Sequence, residues 1–161
     1  DPSLGKFTIQ QRTAIVKHWI GFGEIDDVEA YLQAFGDTLD SPWFMFAQLR
    51  FKQTRLEEAV DMIREGMAVP GIPEVAMGQG QIDSLKRVFF LSTNDFSKGI
   101  ALIRYYLERA EYREALRVID ALLQLSEPPA YVYYWRAEIL YQLEDYPGSW
   151  SAFDAYWKQI K

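Results

Sequence analysis

The chain has 161 residues, of which 49% are apolar and 16% aromatic, and its net charge is −6. This length suits about one domain with a sizeable core. The acidic balance argues against nucleic-acid binding, which needs a basic surface, and against electrostatic docking on an anionic membrane. No apolar run approaches the ~18 residues that span a bilayer. The absence of cysteine excludes disulfides and thiolate metal sites.

The sequence opens at Asp1-Pro2 without a methionine, so we interpret it as part of a longer protein. A signal or membrane anchor outside this sequence stays open. The expected setting is a soluble domain in the cytoplasm or periplasm, without direct membrane insertion by this part of the chain. The sequence does not choose between these compartments.

Apolar residues recur with helical periodicity, which predicts an all-α fold. The first predicted helix runs from about Phe7 to Ile20 and stops at Gly21 and Gly23. The second runs from about Asp26 to Phe35, with Gly36 as its C-terminal stop.

Ser41 and Pro42 are predicted to open the third helix, since Ser can cap and Pro suits the first turn. Thr54-x-x-Glu57 matches a capping box, which predicts that a fourth helix begins there. That helix is expected to end near Gly66.

Glycine and proline interrupt the chain at residues 70–73 and 78–80. A fifth helix is predicted over about Gln81 to Leu91. Asn94 or Asp95 can cap a sixth, which extends to about Arg109.

Three further helices follow in the C-terminal part. They are predicted over Tyr112 to Leu125, over Tyr131 to Leu143, and from about Pro147 to the end. Nine short antiparallel helices joined by short loops are typical of an α-solenoid.

An internal similarity supports this architecture. Glu111-Tyr112 lies 34 residues before Asp145-Tyr146, and Ala115 has the same offset from Ser149. A period of 34 residues is that of the tetratricopeptide repeat, a helix–turn–helix unit, and the chain resembles this family. The resemblance implies an antiparallel helix–turn–helix solenoid.

Three segments match the bulky and small positions of the repeat in phase. In residues 40–73 the matches are Trp43, Phe46, Ala47, Ala59, Ile63 and Gly66. In residues 96–129 they are Leu102, Tyr106, Ala115 and Ile119. In residues 130–161 they are Tyr133, Ala137, Leu140, Ser149 and Phe153. Departures from the pattern occur at Arg50, Gly99, Ile103, Arg136 and Tyr156.

We therefore predict a single tetratricopeptide-like domain over residues 1–161. It comprises a degenerate helix pair at 7–36, a repeat at 40–73, an irregular segment with an extra helix at 74–95, and repeats at 96–129 and 130–161. The extra segment interrupts the array.

Candidate catalytic groups are few. His18 is the only histidine, and we interpret it as a surface or packing residue. The carboxylates at 26–29 and 57–61 lie in the first turns of predicted helices, where they favourably meet the helix dipole. No motif for a metal, phosphate or nucleophile is present. We predict no catalytic residue, no metal ion and no cofactor.

The resemblance also implies a concave face lined by defined positions of the first helix of each pair. The partner-binding residues expected on that face are Phe44, Gln48, Phe51, Lys52, Ile100, Arg104, Tyr131, Tyr134, Glu138 and Tyr141. Within the aromatic run 131–135, Tyr131 and Tyr134 would face the groove and Tyr133 would pack inside. Family members that clamp the terminal carboxylate of chaperone tails use a set of Lys, Asn and Arg residues at these positions. Of that set only Arg104 is retained here, so we reject that ligand.

The resemblance therefore implies a non-enzymatic scaffold or adaptor. It would bind a partner helix or extended segment on an aromatic concave face. Scaffolds of this family occur in bacterial exopolysaccharide synthesis, secretion and cytochrome c maturation, so a membrane-tethered envelope assembly complex is one expected setting.

Two alternatives stay open. One is a structural module that forms homo-oligomers through its terminal helices, where Trp150 and Trp157 share one face. The other is an enzyme or ligand-binding helical domain, which would need a buried pocket between the 78–80 loop and the fifth helix.

Overall fold

Helices provide the regular structure of this protein. The computed structural model describes residues 6–73, 82–91, 96–124 and 128–161, and these ranges contain nine α-helices and no strand. The helices are α1 (Ile9–Phe22), α2 (Ile25–Phe35), α3 (Pro42–Lys52), α4 (Leu56–Gly66), α5 (Ile82–Leu91), α6 (Phe96–Glu108), α7 (Tyr112–Leu123), α8 (Ala130–Gln142) and α9 (Tyr146–Ile160). The predicted all-α class is confirmed, and the solenoid arrangement stays a prediction.

The chain divides into two compact units, Asp1–Ala68 and Val69–Lys161. Unit 1 contains α1 to α4, and unit 2 contains the segment 69–73 and α5 to α9. The assignment of all residues to one repeat domain stays a prediction. The expected caps at Asn94 or Asp95 and the 78–80 loop lie outside the described residues.

The core of unit 1 forms where α1, α2 and α3 meet. Val16, Val28, Leu32, Met45 and Leu49 are buried there. Helix α1 begins with a capping box, in which Thr8 and Gln11 satisfy each other's backbone N–H groups. It ends at Phe22, beyond the stop predicted at Gly21. Gly21 is therefore a helical residue, and Gly23 is the cap.

The capping box predicted at Thr54 is wrong. Thr54 lies in the turn before α4 with a left-handed backbone (φ 62°), and the helix begins at Leu56 without a side-chain cap. Two backbone hydrogen bonds hold Thr54 in this turn and keep it from capping α4. Arg55 N donates to Arg50 O at 2.9 Å, and Thr54 N donates to Phe51 O at 3.0 Å. This pair of bonds is a Schellman motif, which needs a left-handed residue at that position.

The same turn occurs twice more, in unit 2. Ala110 (φ 54°) and Glu144 (φ 61°) are also left-handed. Glu111 N donates to Tyr106 O at 2.9 Å, and Asp145 N donates to Leu140 O at 2.8 Å. These turns join α6 to α7 and α8 to α9, as the first joins α3 to α4. The three left-handed residues are spaced by 56 and 34 residues, which is the phase of the sequence pattern.

Small residues allow the two helices of a hairpin to approach closely. Ala47 and Ala59 are fully buried between α3 and α4. In the last hairpin, the buried Ser149 donates from Oγ to the carbonyl oxygen of Ala137 at 2.7 Å. Gly99 in α6 leaves no room for a side chain, because a Cβ atom there would come within 2.8 Å of Leu122.

The core of unit 2 is mostly aliphatic at its centre, with Phe89 and Tyr106 among the aliphatic side chains. Phe89 of α5, Leu102 of α6, Ile119 and Leu122 of α7 and Ile139 of α8 are fully buried in the central cluster. This cluster is the support for the face on which the segment 69–73 lies.

Candidate functional site

A segment without regular structure contacts the helices of unit 2 through Ile72. Residues 69–73, Val-Pro-Gly-Ile-Pro, form no helix or strand, and we call this segment the strap. Ile72 packs against the core cluster of unit 2. The residue before a proline is biased towards extended backbone, so Pro70 and Pro73 favour an extended backbone at Val69 and Ile72.

Ile72 and side chains of α6, α7 and α8 together line a small apolar pocket, which we call the Ile72 site. Its other lining residues are Ile100, Ile103, Ile119, Tyr131, Val132 and Trp135. The void left there is about 10 Å³. That volume is about the least that holds one water molecule, so with Ile72 in place the site has no room for a small molecule.

A polar contact fixes the backbone of the strap. Arg104 of α6 donates from Nη1 to the carbonyl oxygen of Ile72 at 3.0 Å. The same guanidinium donates from Nε to Glu108 Oε1 at 3.2 Å, which orients it along α6. A charged donor makes a stronger bond to a carbonyl oxygen than a neutral donor does.

Two aromatic side chains of α8 complete the site. Burial raises the pKa of the Tyr131 phenol, because the charged phenolate would be desolvated. The buried Nε1 of Trp135 has no hydrogen-bond acceptor among the described residues. The site is therefore apolar, with one charged donor in use and one indole donor unused.

The predicted binding residues of unit 2 separate into two groups. Tyr131, Arg104, Glu138 and Tyr141 are partly exposed. Ile100 and Tyr134 are only 4% and 3% exposed with the strap in place.

Tyr134 lies inside an aromatic cluster at the end of unit 2. Its ring centroid is 5.4 Å from those of Phe153, Tyr156 and Trp135, with edge-on geometry. The expectation that Tyr134 faces a groove while Tyr133 packs inside is therefore wrong, since Tyr133 is only half-buried. The bulky Tyr156, a departure from the repeat pattern, reaches this cluster from α9.

In unit 1 the predicted residues lie along α3. Phe44 is buried, at 3% exposure, whereas Gln48 is half-buried and Phe51 and Lys52 are exposed. Phe51 and Lys52 form the C-terminal end of α3, next to the turn at Thr54. The role of these residues in binding a partner stays a prediction.

The sequence reading missed Ile72. The pattern Pro-Gly-Ile-Pro was interpreted only as an interruption between helices. An aliphatic residue isolated between prolines was the available signal, because an extended apolar residue needs a pocket to be buried.

His18 and the acidic residues do not come together in a site among the described residues. His18 is exposed, and its ring centroid lies 4.8 Å from that of the exposed Phe22. Nowhere in the described ranges do three or more His, Asp or Glu side chains come together as a metal site would require. The 78–80 loop, beside which a pocket was considered, lies outside those ranges.

The tryptophans considered for self-association are buried within the chain. Trp150 and Trp157 of α9 are 7% and 9% exposed. The Nζ atom of Lys161 lies 4.8 Å from the centre of a Trp157 ring and covers it further. Homo-oligomer formation through the end helices stays a prediction, without support from these two residues.

Among the helices of the described ranges, none combines the length and the apolar character needed to cross a bilayer.

No protein-family model matches the sequence, and no curated protein or solved structure is significantly similar to it.

Proposed function

We propose that this protein is a non-catalytic interaction scaffold that binds an extended segment of a protein partner. The observation that carries the proposal is the hairpin repeated at Thr54, Ala110 and Glu144 with one turn geometry. In repeat proteins, stacked hairpins present the first helices of successive pairs in equivalent orientations. Extended recognition surfaces in repeat proteins are built in this way.

The exposed side chains of α6 and α8 favour a peptide as the ligand. Tyr131 and Tyr141 on α8 are partly exposed aromatic residues, with Glu138 between them and Arg104 on α6. Tyrosine supplies a large contact area at a low entropic cost, and a few charges fix the orientation of a ligand. An extended apolar segment with accessible backbone carbonyl groups fits this chemistry better than a nucleic acid, since the chain has a net charge of −6.

The cellular setting follows only from the resemblance to tetratricopeptide scaffolds. An envelope assembly complex, such as one for exopolysaccharide synthesis or secretion, remains our proposed setting. Affinity capture of the full-length protein from its native source, at native abundance, identifies the partner to be tested.

The decisive comparison is between two variants. We expect Y131S/Y141S to lower recovery of the partner at least tenfold, which corresponds to about 1.4 kcal/mol of binding free energy. The control F22S removes an aromatic ring that is 82% exposed on α1 and is expected to capture the partner normally. Binding that survives Y131S/Y141S in a folded protein, with reconstituted components, would refute the assignment of this face.

A further inference from the structure

Ile72 anchors the strap on the helices of unit 2. It provides a partly buried side chain and one carbonyl oxygen, which accepts from Arg104. Val69, at the other end, is 64% exposed. Gly71 and Pro73, on either side of Ile72, are also exposed. A segment anchored in this way belongs to the low-stability end of a structure, where local opening costs little free energy.

We propose that the strap is an internal, exchangeable occupant of the partner-binding face, with Ile72 as its anchor. This inference rests on the proposed function, because it assumes that a partner uses the same face of α6 and α8. In the closed form Ile72 fills its site and Arg104 holds the backbone. In the open form a segment of a second protein takes both positions.

The contacts of Ile72 specify the chemistry of the competing segment. It is extended, carries a branched aliphatic side chain for the apolar site, and presents the carbonyl oxygen of that residue to Arg104. Prolines on either side favour binding, because they restrict the free segment to extended conformations and lower the entropy lost on binding.

The indole of Trp135 gives the partner an advantage over the strap. Its buried Nε1 donor finds no acceptor among the described residues when the strap is in place. A buried donor without an acceptor is unfavourable. A ligand with an acceptor group beside the aliphatic residue can satisfy this donor, which the strap does not do within the described ranges.

The test uses the strap itself as a ligand in trans. The probe is a fluorescein-labelled peptide with the sequence of residues 67–73, Met-Ala-Val-Pro-Gly-Ile-Pro, followed by fluorescence anisotropy with the full chain. In the variant I72D the internal strap carries a carboxylate that an apolar site rejects. The matched control V69D places the same charge on the same segment, at an exposed position.

We expect I72D to bind the peptide at least about tenfold more tightly than wild type or V69D. The internal occupant lowers the apparent affinity by the fraction of open molecules, and a tenfold effect corresponds to a strap seated about 90% of the time. A peptide with Asp in place of Ile is expected to bind none of the three proteins. Equal binding of the peptide to folded I72D and V69D would overturn the proposal.

A second measurement decides the matter if I72D does not fold. The chain has no cysteine, so the single variants I72C and V69C each carry one reporter thiol. With an aromatic disulfide reagent, we expect the I72C thiol to react at least about tenfold more slowly than the V69C thiol. Saturating peptide is expected to bring the I72C rate close to that of V69C.

Two outcomes of this experiment would contradict the proposal that the strap is an exchangeable occupant. Equal rates without peptide would mean that the strap is not seated, and an I72C rate that does not respond to saturating peptide would mean that it does not exchange. Neither outcome depends on the native partner. These results can therefore refute the strap proposal without refuting the scaffold proposal, which is tested separately by partner capture with Y131S/Y141S.

Discussion

Arg50 of α3 donates from Nη1 to Glu29 Oε1 of α2 at 2.7 Å, and this ion pair joins the two helices. Gln53 extends the pair, since it accepts from Arg50 at 2.8 Å and donates to Glu29 Oε2 at 3.1 Å. The side chains of Arg50 and Glu29 are 12% and 23% exposed. Arg50 was a departure from the repeat pattern, and its partner on the preceding helix explains its presence.

The ion pair predicts a pH dependence of stability. The hydrogen bond from Arg50, and then that from Gln53, lowers the pKa of Glu29 below its ordinary value of 4.5. A carboxylate with a lower pKa in the folded state stabilises the protein above its unfolded pKa, and that contribution is lost as the pH falls through the folded value. We expect E29Q to reduce the free energy of unfolding by about 1 kcal/mol at pH 7.

The difference between wild type and E29Q should shrink as the pH is lowered below 4.5, the ordinary pKa of this group. Urea unfolding at pH 7 and at several values below 4.5 measures it. The control is E58Q, which removes the exposed partner of Arg55 and should change stability little at any of these values. A difference that stays constant down to pH 2 would contradict this role of Glu29.

Gly66 and Gly21 predict opposite effects of the same substitution. A Cβ atom on Gly66 would overlap the indole of Trp43, including Cγ near the base of that side chain, so the ring cannot avoid it by a small rotation. We expect G66A to destabilise unit 1 by about 1 to 3 kcal/mol through overpacking. G21A meets nothing within 4 Å and lies inside α1, so it should stabilise by about 0.5 to 1 kcal/mol.

Thermal and urea unfolding of the two variants test this pair. Trp43 fluorescence adds a local readout, although four further tryptophans contribute to the signal. Equal stability of G66A and G21A would show that Trp43 does not pack on Gly66 as described.

The left-handed backbone of these turns predicts that glycine at the left-handed position makes the protein more stable than the natural residue does. Ala110 has a φ of 54°, a conformation that costs an L-residue with a Cβ atom about 1 kcal/mol or more. We expect A110G to stabilise unit 2 by about 0.5 kcal/mol, because the relief of strain exceeds the entropy lost by glycine. The matched control A155G, inside α9, should destabilise by about 1 kcal/mol. A loss of stability in A110G as large as that in A155G would contradict the turn geometry.

Local periodicity and turn residues were sufficient to predict the helices. Most boundaries agree within two residues, since apolar spacing and the residues Gly36, Pro42 and Pro147 act over short distances. Thr54 was the exception. Its sequence context matches a capping box, but the helix–turn–helix geometry places it in the left-handed position of a Schellman motif. A tertiary requirement overrode a local preference.

The candidate site was harder to predict, because it depends on contacts between distant residues. Repeat phase assigned Tyr134 to a groove, but it cannot show that Tyr156, bulky where the pattern expects a small residue, would pack on that ring. The contact between Arg104 and Ile72 spans 32 positions and follows no periodicity. Arg136 is similar: it pairs with Asp120 of α7 at 2.9 Å, which no repeat position indicates.

The Schellman turns provide three equivalent probes of local folding. The amides of Arg55, Glu111 and Asp145 each donate to a carbonyl oxygen five residues earlier, so each bond closes only when its own hairpin is formed. In repeat architectures, neighbouring hairpins can open as separate cooperative units. Native-state hydrogen exchange at these three amides would therefore rank the opening free energies of the three hairpins within one molecule.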